Sequence, residues 1–557
     1  MKKLKVSAVM AIVLIVGLVL AACGGGNSSS DSKDSAKKDK EQTINLLESA
    51  QIATMDTVMS TDVVSGTAMD QVIEGLYSLG KDDKFELGVA AEEPTISKDN
   101  KTYTFKLRDD AKWSNGDDVT ANDFVFAWRK AVNPDTGAQY AYMFDGVIEN
   151  ASDIMTKKKG VDTLGVKAVD DKTLEVQLER PITYIKSLFA FVTFKPQNEK
   201  FVKEQGKNYA KTSENLIYNG PFTLKDWDGN GDTWEYVKND KYWGAKDVKL
   251  KNAKINVVKQ PSTGINLYTK GEADAVNLSA EYAKQYAKDK NRISVPQASV
   301  FYLKFNQKRD GKETPLANEH ARKAIAQAFN KEAYAKQILA NGSVAADQQV
   351  PEGLAANPKT GEDFTKSAAA ANKYLTYNVE AAQKEWKEAQ KEIGDKVTIE
   401  LLSDDTDNAK SSSQYMKDQL EKNLPGLTLS LKNVPFNNRV DLDSKSNFDM
   451  ELSGWGADYQ DPMTFLDLYV TGGSNANINY SNKEYDALIN ANKTTDAADP
   501  QKRWENFIKA QDILINQDAA IAPIYQRSLS ILQNPAIKDM YRHNFGSDYS
   551  LKAAYIK

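Results

Sequence analysis

Cysteine is nearly absent from this chain. The single one, Cys23, follows an apolar leader, so no internal disulfide can form and a catalytic thiol elsewhere in the body is excluded. Histidine is almost as scarce, with only His320 and His543. No His-Glu-x-x-His or Gly-x-Ser-x-Gly motif accompanies them, so a zinc or Ser-His hydrolytic centre is poorly supplied. A carboxylate pair is not excluded by counting. His320, in a polar helix start, and His543, in a carboxyl-terminal loop, read as surface or structural residues. Positive charge is also lacking: 72 Lys and Arg face 77 Asp and Glu, a net −5 with pI about 5.6. No strong basic cluster marks the body, which argues against a nucleic-acid footprint. There is no repeat and no long low-complexity tract after Lys40.

What is present begins at the amino terminus. Met1-Lys2-Lys3-Leu4-Lys5 is a positive region, Val6 to Leu20 is apolar, and Leu20-Ala21-Ala22-Cys23 follows. Small residues before a cleavage point mark a secretory signal peptide over residues 1–22. Leu-Ala-Ala-Cys resembles a bacterial lipobox, which implies diacylglycerol on the Cys23 thiol. An uncut amino-terminal membrane anchor is the competing reading, and the apolar run is short for a span. Cleavage removes three lysines, leaving 69 basic and 77 acidic groups, or −8. Residues 23–42 are then a lipidated end and a Gly/Ser/Asp/Lys tether, with a reach of roughly 20–25 Å. Two acyl chains make such an anchor lasting.

The chain has 41% hydrophobic and 27% charged residues, the composition of a soluble globular protein, and is long enough for more than one domain. Thr43 to Leu47 reads as a strand, and Ala68 to Leu76 as a helix with Met69, Val72, Ile73 and Leu76 on one face. Thr102 to Arg108 alternates as a strand. Thr120 and Asp123 have the spacing of a capping box for a helix carrying Phe124, Ala127, Trp128 and Ala131, which must stop before Asn133-Pro134. Helical faces recur at Ala321, Ala324, Ile325, Ala328 and Phe329. Another runs through Trp504, Phe507, Ile508 and Leu514 behind an Asp499 cap and Pro500. Core packing accounts for these faces. Strands alternate with helices, so the class is α/β. Phe448 to Leu452 alternates apolar with acidic residues, as in a half-buried strand. It leads to Gly454-Trp455-Gly456-Ala457-Asp458-Tyr459-Gln460-Asp461-Pro462. The glycines allow a ligand backbone to come close, the indole offers a flat wall, and the acid offers a place for a cation. A strand end, an Asp-Pro turn and a core tryptophan would explain the same residues.

The order Thr104 to Arg129, with its Thr-Phe-Lys-Leu-Arg, Ala-Lys-Trp-Ser-Asn-Gly and Asn-Asp-Phe-Val-Phe-Ala-Trp-Arg pieces, resembles the signature of family 5 extracellular solute-binding proteins. This group serves ABC importers of oligopeptides, dipeptides and nickel. Asn219 to Lys225, Lys238 to Trp243, Gly271 to Asp274, Tyr302 to Asn306, Ala321 to Ile325, Trp455 to Tyr459 and Ala522 to Tyr525 match in the same order. The resemblance implies a two-lobed periplasmic-binding-protein-like clamshell of type II, in the large peptide-binding class, with an inserted subdomain. Lobe I would comprise 43–80, 200–306 and 523–557, the insert 81–199, and lobe II 307–522.

The resemblance also implies a site. Asp458 would pair with a peptide ammonium, a charge-assisted contact of the strong kind. Gly454-Trp455-Gly456 and Thr61-Asp62-Val63 would offer main-chain edges to an extended ligand. Trp455, Tyr140 and Phe436 would be aromatic walls, though each could be a core aromatic. Where short-peptide binders carry basic residues for the ligand carboxylate, this chain aligns Asp443 and Leu452, with Arg439 and Lys445 nearby. The carboxyl end is therefore expected to lack a fixed cation, which suits longer peptides. No catalytic residue, metal or cofactor is expected. The expected partners are an oligopeptide, permease subunits of an ABC importer, and a membrane reached through the lipid on Cys23. A monomer on the extracellular face of a cell membrane follows, Gram-positive by the tether, periplasmic otherwise. A peptide pheromone, dipeptide or nickel chelate is the nearest alternative cargo. A secreted hydrolase and a surface adhesin are the alternatives of another class.

Overall fold

The computed structural model describes residues 42–367, 374–472 and 477–557. The leader, Cys23 and nearly all of the tether lie outside the described residues. Strand β1 (Thr43–Glu48) pairs in parallel with 252–257, and strands 233–238 and 222–225 complete a four-stranded sheet. Helix α1 (Val63–Val72) packs in the same core through Ala68, Met69 and Val72. It begins five residues before the expected start at Ala68. Asp62 is the reason: its carboxylate accepts the Ser65 amide at 2.8 Å and caps the helix, a signal hidden by the β-branched pair Val63-Val64. The helix ends at Val72, and Leu76 packs instead in the neighbouring core.

A second four-stranded sheet, antiparallel throughout, joins 95–96, 102–106, 173–177 and 166–170. The helix Ala121–Val132 covers it, with the Thr120/Asp123 capping box present. Trp128 anchors this core, its ring within 6.5 Å of Phe124, Phe144, Phe189 and Phe194.

The third sheet carries the site. Its main strands are β2 (Arg292–Phe305), β3 (Val397–Asp404), β4 (Met450–Gly456) and β5 (Ile521–Gln533). The order is 275–277, β5, β2, β4, β3, 427–434, with 344–345 added to β5. Strands β2 and β5 are long because each serves two cores. Ile293, Val295, Leu529 and Ile531 pack with the β1 sheet, whereas Val300 to Phe305 and Ile521 to Tyr525 pack in the third core. Their register breaks between Pro296 and Val300, opposite Ser528 and Gln526. Such a bulge bends the ribbon where it passes between cores. Gln526 Nε2 donates to the Gln297 and Glu352 carbonyls at 3.0 Å and braces the bend.

The acidic positions around β4 are not solvated as alternation suggests. Glu451 is fully buried. Helix α2 (Phe436–Ser444) supplies Arg439 and Asp443 to that face, and Lys304 of β2 lies across from Glu451.

Candidate functional site

Strand β4 is paired along its whole length with β2, from Met450↔Phe305 to Gly456↔Ser299. On its other side, β3 pairs only at Leu401↔Met450 and Leu402↔Glu451. Among the described residues, Leu452 to Gly456 therefore has no strand on that edge. An open edge exposes alternate amides and carbonyls, which an extended chain can satisfy. The Gly454-Trp455-Gly456 stretch lies within the strand and not in a loop behind it. A Cβ on Gly454 would lie 2.7 Å from the Phe301 ring, which itself stacks on Tyr525 at 4.8 Å. The glycine thus admits a ring of the fold. Gly456 is exposed, with nothing closer than 3.9 Å to its Cβ position. Trp455 is half-buried against the third core.

Asp458 follows directly. Thr464 Oγ1 accepts its amide at 3.1 Å, and the Ala457 amide donates to the Ala298 carbonyl at 2.8 Å. These bonds hold the loop that presents the carboxylate. Its Oδ2 accepts one hydrogen bond, from the Tyr142 phenol at 2.8 Å. Burial pushes the Asp458 carboxyl up to about 6, and the Tyr142 bond only partly offsets it. The same burial raises the Tyr142 phenol, helped by the negative charge of Asp458. Among the described residues this carboxylate has a protein partner but no cation, a poor resting place for charge and a good receptor for an ammonium.

Tyr142 escaped the sequence reading, which named Tyr140. Both belong to one short 3-10 turn, Gln139–Met143, and their rings lie 5.7 Å apart. The Tyr-x-Tyr spacing was the available signal. Tyr140 packs on Phe191 at 5.3 Å, and its phenol is raised by burial, then by Asp458 and Asp62. Thr61-Asp62-Val63 is not an edge strand: Asp62 caps α1, Val63 is its first residue, and Thr61 and Val63 are exposed. Phe436 is the first residue of α2. Arg439 and Lys445 both have acidic partners. Arg439 Nε donates to Asp404 at 2.7 Å and Nη1 to Glu451, while Lys445 pairs with Asp441 at 2.7 Å. Asp443 takes Lys304 at 2.7 Å, and Leu452 is half-buried.

The loop after Asp458 forms a seam with residues 183–187. Tyr459 stacks on Tyr184 at 4.4 Å, and the Gln460 amide donates to Ser187 Oγ at 3.1 Å. Asp461 forks onto Arg503 at 2.9 and 3.0 Å, and Arg503 also donates to Thr183. The Asp-Pro turn is thus a buried ion pair leading into the short helix Met463–Leu466. His320 pairs with Glu385 at 2.6 Å, and buried His543 pairs with Asp83 at 2.9 Å. No helix among the described residues is long and apolar enough to cross a membrane.

Residues 84–477 match the family of bacterial extracellular solute-binding proteins, family 5 Middle. A dipeptide-binding protein of Lactococcus lactis is 35% identical over 569 residues, covering 100% of both chains. Among solved structures, Listeria monocytogenes OppA bound to peptide is 50% identical with a TM-score of 0.82, over 93% of this chain and 99% of that one. The pheromone receptor PrgZ is 36% identical with a TM-score of 0.81, over 93% and 100%.

Proposed function

The chain belongs to the bacterial extracellular solute-binding proteins of family 5, and from that membership we propose that it is a lipid-anchored receptor that captures oligopeptides and delivers them to an ABC importer. The observation that carries the reading is Asp458, a half-buried carboxylate whose pKa is raised to about 6 and which stands at the end of an open strand edge. The ammonium of a peptide docks on Asp458. Its main chain then adds a strand beside Leu452 to Gly456, where backbone bonds hold any sequence. Trp455, Tyr140, Phe436 and the Thr61-Asp62-Val63 turn wall the cleft. Side chains of the ligand are read loosely, through water.

Two lobes close on the ligand, with the boundaries expected above and the hinge at the bulge of β2 and β5. Closure is a rigid rotation of one lobe against the other, driven by contacts made only in the closed form. Lipid on Cys23 keeps the receptor near its permease. The receptor releases its peptide unchanged; no residue is assigned to chemistry. A peptide pheromone is the second reading, favoured by the likeness to PrgZ. Mass spectrometry of ligand eluted from the purified protein tests both. Recovery of peptides with free amino ends supports them, a single sequence favours the pheromone, and recovery only of amine-free molecules contradicts both.

A further inference from the structure

The open edge of β4 ends at a fork. Strand β3 lies beside β4 only as far as Leu402↔Glu451, and its last residue, Asp404, continues without pairing to β4. The Arg439 guanidinium spans this fork, bound to Asp404 on one strand and to Glu451 on the other. Lys304 sits behind it, 2.7 Å from Asp443 and 3.3 Å from Glu451. Asn477 Nδ2 donates to the second Asp443 oxygen at 3.2 Å. Among the described residues, two cations here face three carboxylates, so one negative charge is left over when all three are ionised. Glu451 is fully buried, and its Oε2 faces Lys304 Nζ at 3.3 Å. Burial first, and then the Asp443 charge, raise its carboxyl to about 7 against the pull of Lys304 and Arg439. Asp404 is the open member, with its side chain 32% exposed.

A ligand amine at Asp458 fixes the direction of the chain. The peptide must run from Gly456 towards Leu452, antiparallel to β4. At about 3.4 Å per residue, roughly five ligand residues fill the edge before the fork. What the ligand presents there is decided by charge. A terminal carboxylate finds both cations already committed and a negative surplus. A lysine or arginine side chain completes the balance.

Resting on the peptide-receptor reading, we propose that the fork formed by Asp404, Arg439, Asp443, Glu451 and Lys304 is a tail subsite. It rejects a ligand carboxylate and accepts a cationic side chain. The receptor's preferred cargo is then a peptide longer than the edge, or one with Lys or Arg near its fifth residue.

The test is calorimetric titration of the full-length protein with free-amine pentapeptides ending in acid or amide. Hexapeptides with Lys, Ala or Glu at the fifth position complete the set. The amide binds about tenfold tighter than the acid at low salt, and Lys exceeds Ala, which exceeds Glu. Both differences shrink in 0.5 M salt, and Asp404→Asn reduces them while Arg439 keeps Glu451. Acid binding as well as amide, or Glu as well as Lys, in the wild-type protein overturns the subsite and makes Arg439 a carboxylate clamp or a bystander. Binding that is lost on acetylating the ligand amine but is indifferent to its tail overturns the subsite alone. Failure of every peptide to bind overturns both readings.

Discussion

Replacing Asp458 by asparagine separates the charge of the site from its shape, because the amide oxygen still accepts the Tyr142 phenol. Moving a carboxyl from 3.8 to about 6 costs at most roughly 3 kcal/mol to ionise, since cleft water screens part of the charge. The sign follows from linkage. A carboxyl raised in the folded state stabilises the protein below its unfolded pKa and loses that contribution as pH rises through the folded one. Between pH 4 and above pH 6 the empty wild type therefore loses stability relative to Asp458→Asn, and denaturant unfolding at pH 4 and 7.5 reads the difference. Binding runs the other way. At pH 5 only about one Asp458 in eleven is ionised, so affinity for a free-amine peptide is about tenfold below its value at pH 7. Above pH 8 it falls again as the ligand amine deprotonates. The asparagine variant binds about tenfold weaker or worse at pH 7 and loses the acid limb. An affinity flat from pH 5 to 7, or an asparagine variant that keeps the limb, refutes the reasoning.

Tyr142→Phe removes the donor that holds the Asp458 carboxyl down. The acid limb of binding moves to higher pH, and affinity at pH 7 drops by about three- to tenfold in the same titration. Arg503→Met strands buried Asp461 without its partner, and chemical denaturation shows a loss of roughly 3–5 kcal/mol. Cys23→Ser removes the thiol proposed to carry lipid, and the protein is expected to move from the membrane fraction to the medium or periplasm on fractionation.

Sequence alone made parts of this site legible because they are local. Asp458 follows a glycine-flanked tryptophan, and the Thr120/Asp123 and Asp499/Pro500 helix starts obey spacing that the backbone enforces. The faces at Ala321 to Ile325 and at Trp504 to Leu514 are buried as their periodicity requires. What stayed hidden depends on residues far apart in the chain. Glu451 looked like the solvated side of a strand because nothing in its neighbourhood shows that Lys304 and Arg439 converge on it. Gly454 looked like a place for a ligand because Phe301, more than a hundred residues away, fills its missing side chain. Tyr142 was passed over for Tyr140 because only the fold decides which phenol of one turn reaches Asp458. The edge-strand reading of Thr61-Asp62-Val63 failed for a local reason: an extended residue before β-branched neighbours can be a strand or a helix cap, and the Ser65 amide decided for the cap.

The central claim is that a free amine on the ligand meets Asp458. Titrating the receptor with one pentapeptide, free or acetylated at its amino end, tests this most directly. The account predicts that acetylation weakens binding by about a hundredfold, the loss of a charge-assisted contact to the half-buried Asp458 carboxylate. Equal affinity for the two peptides would contradict it.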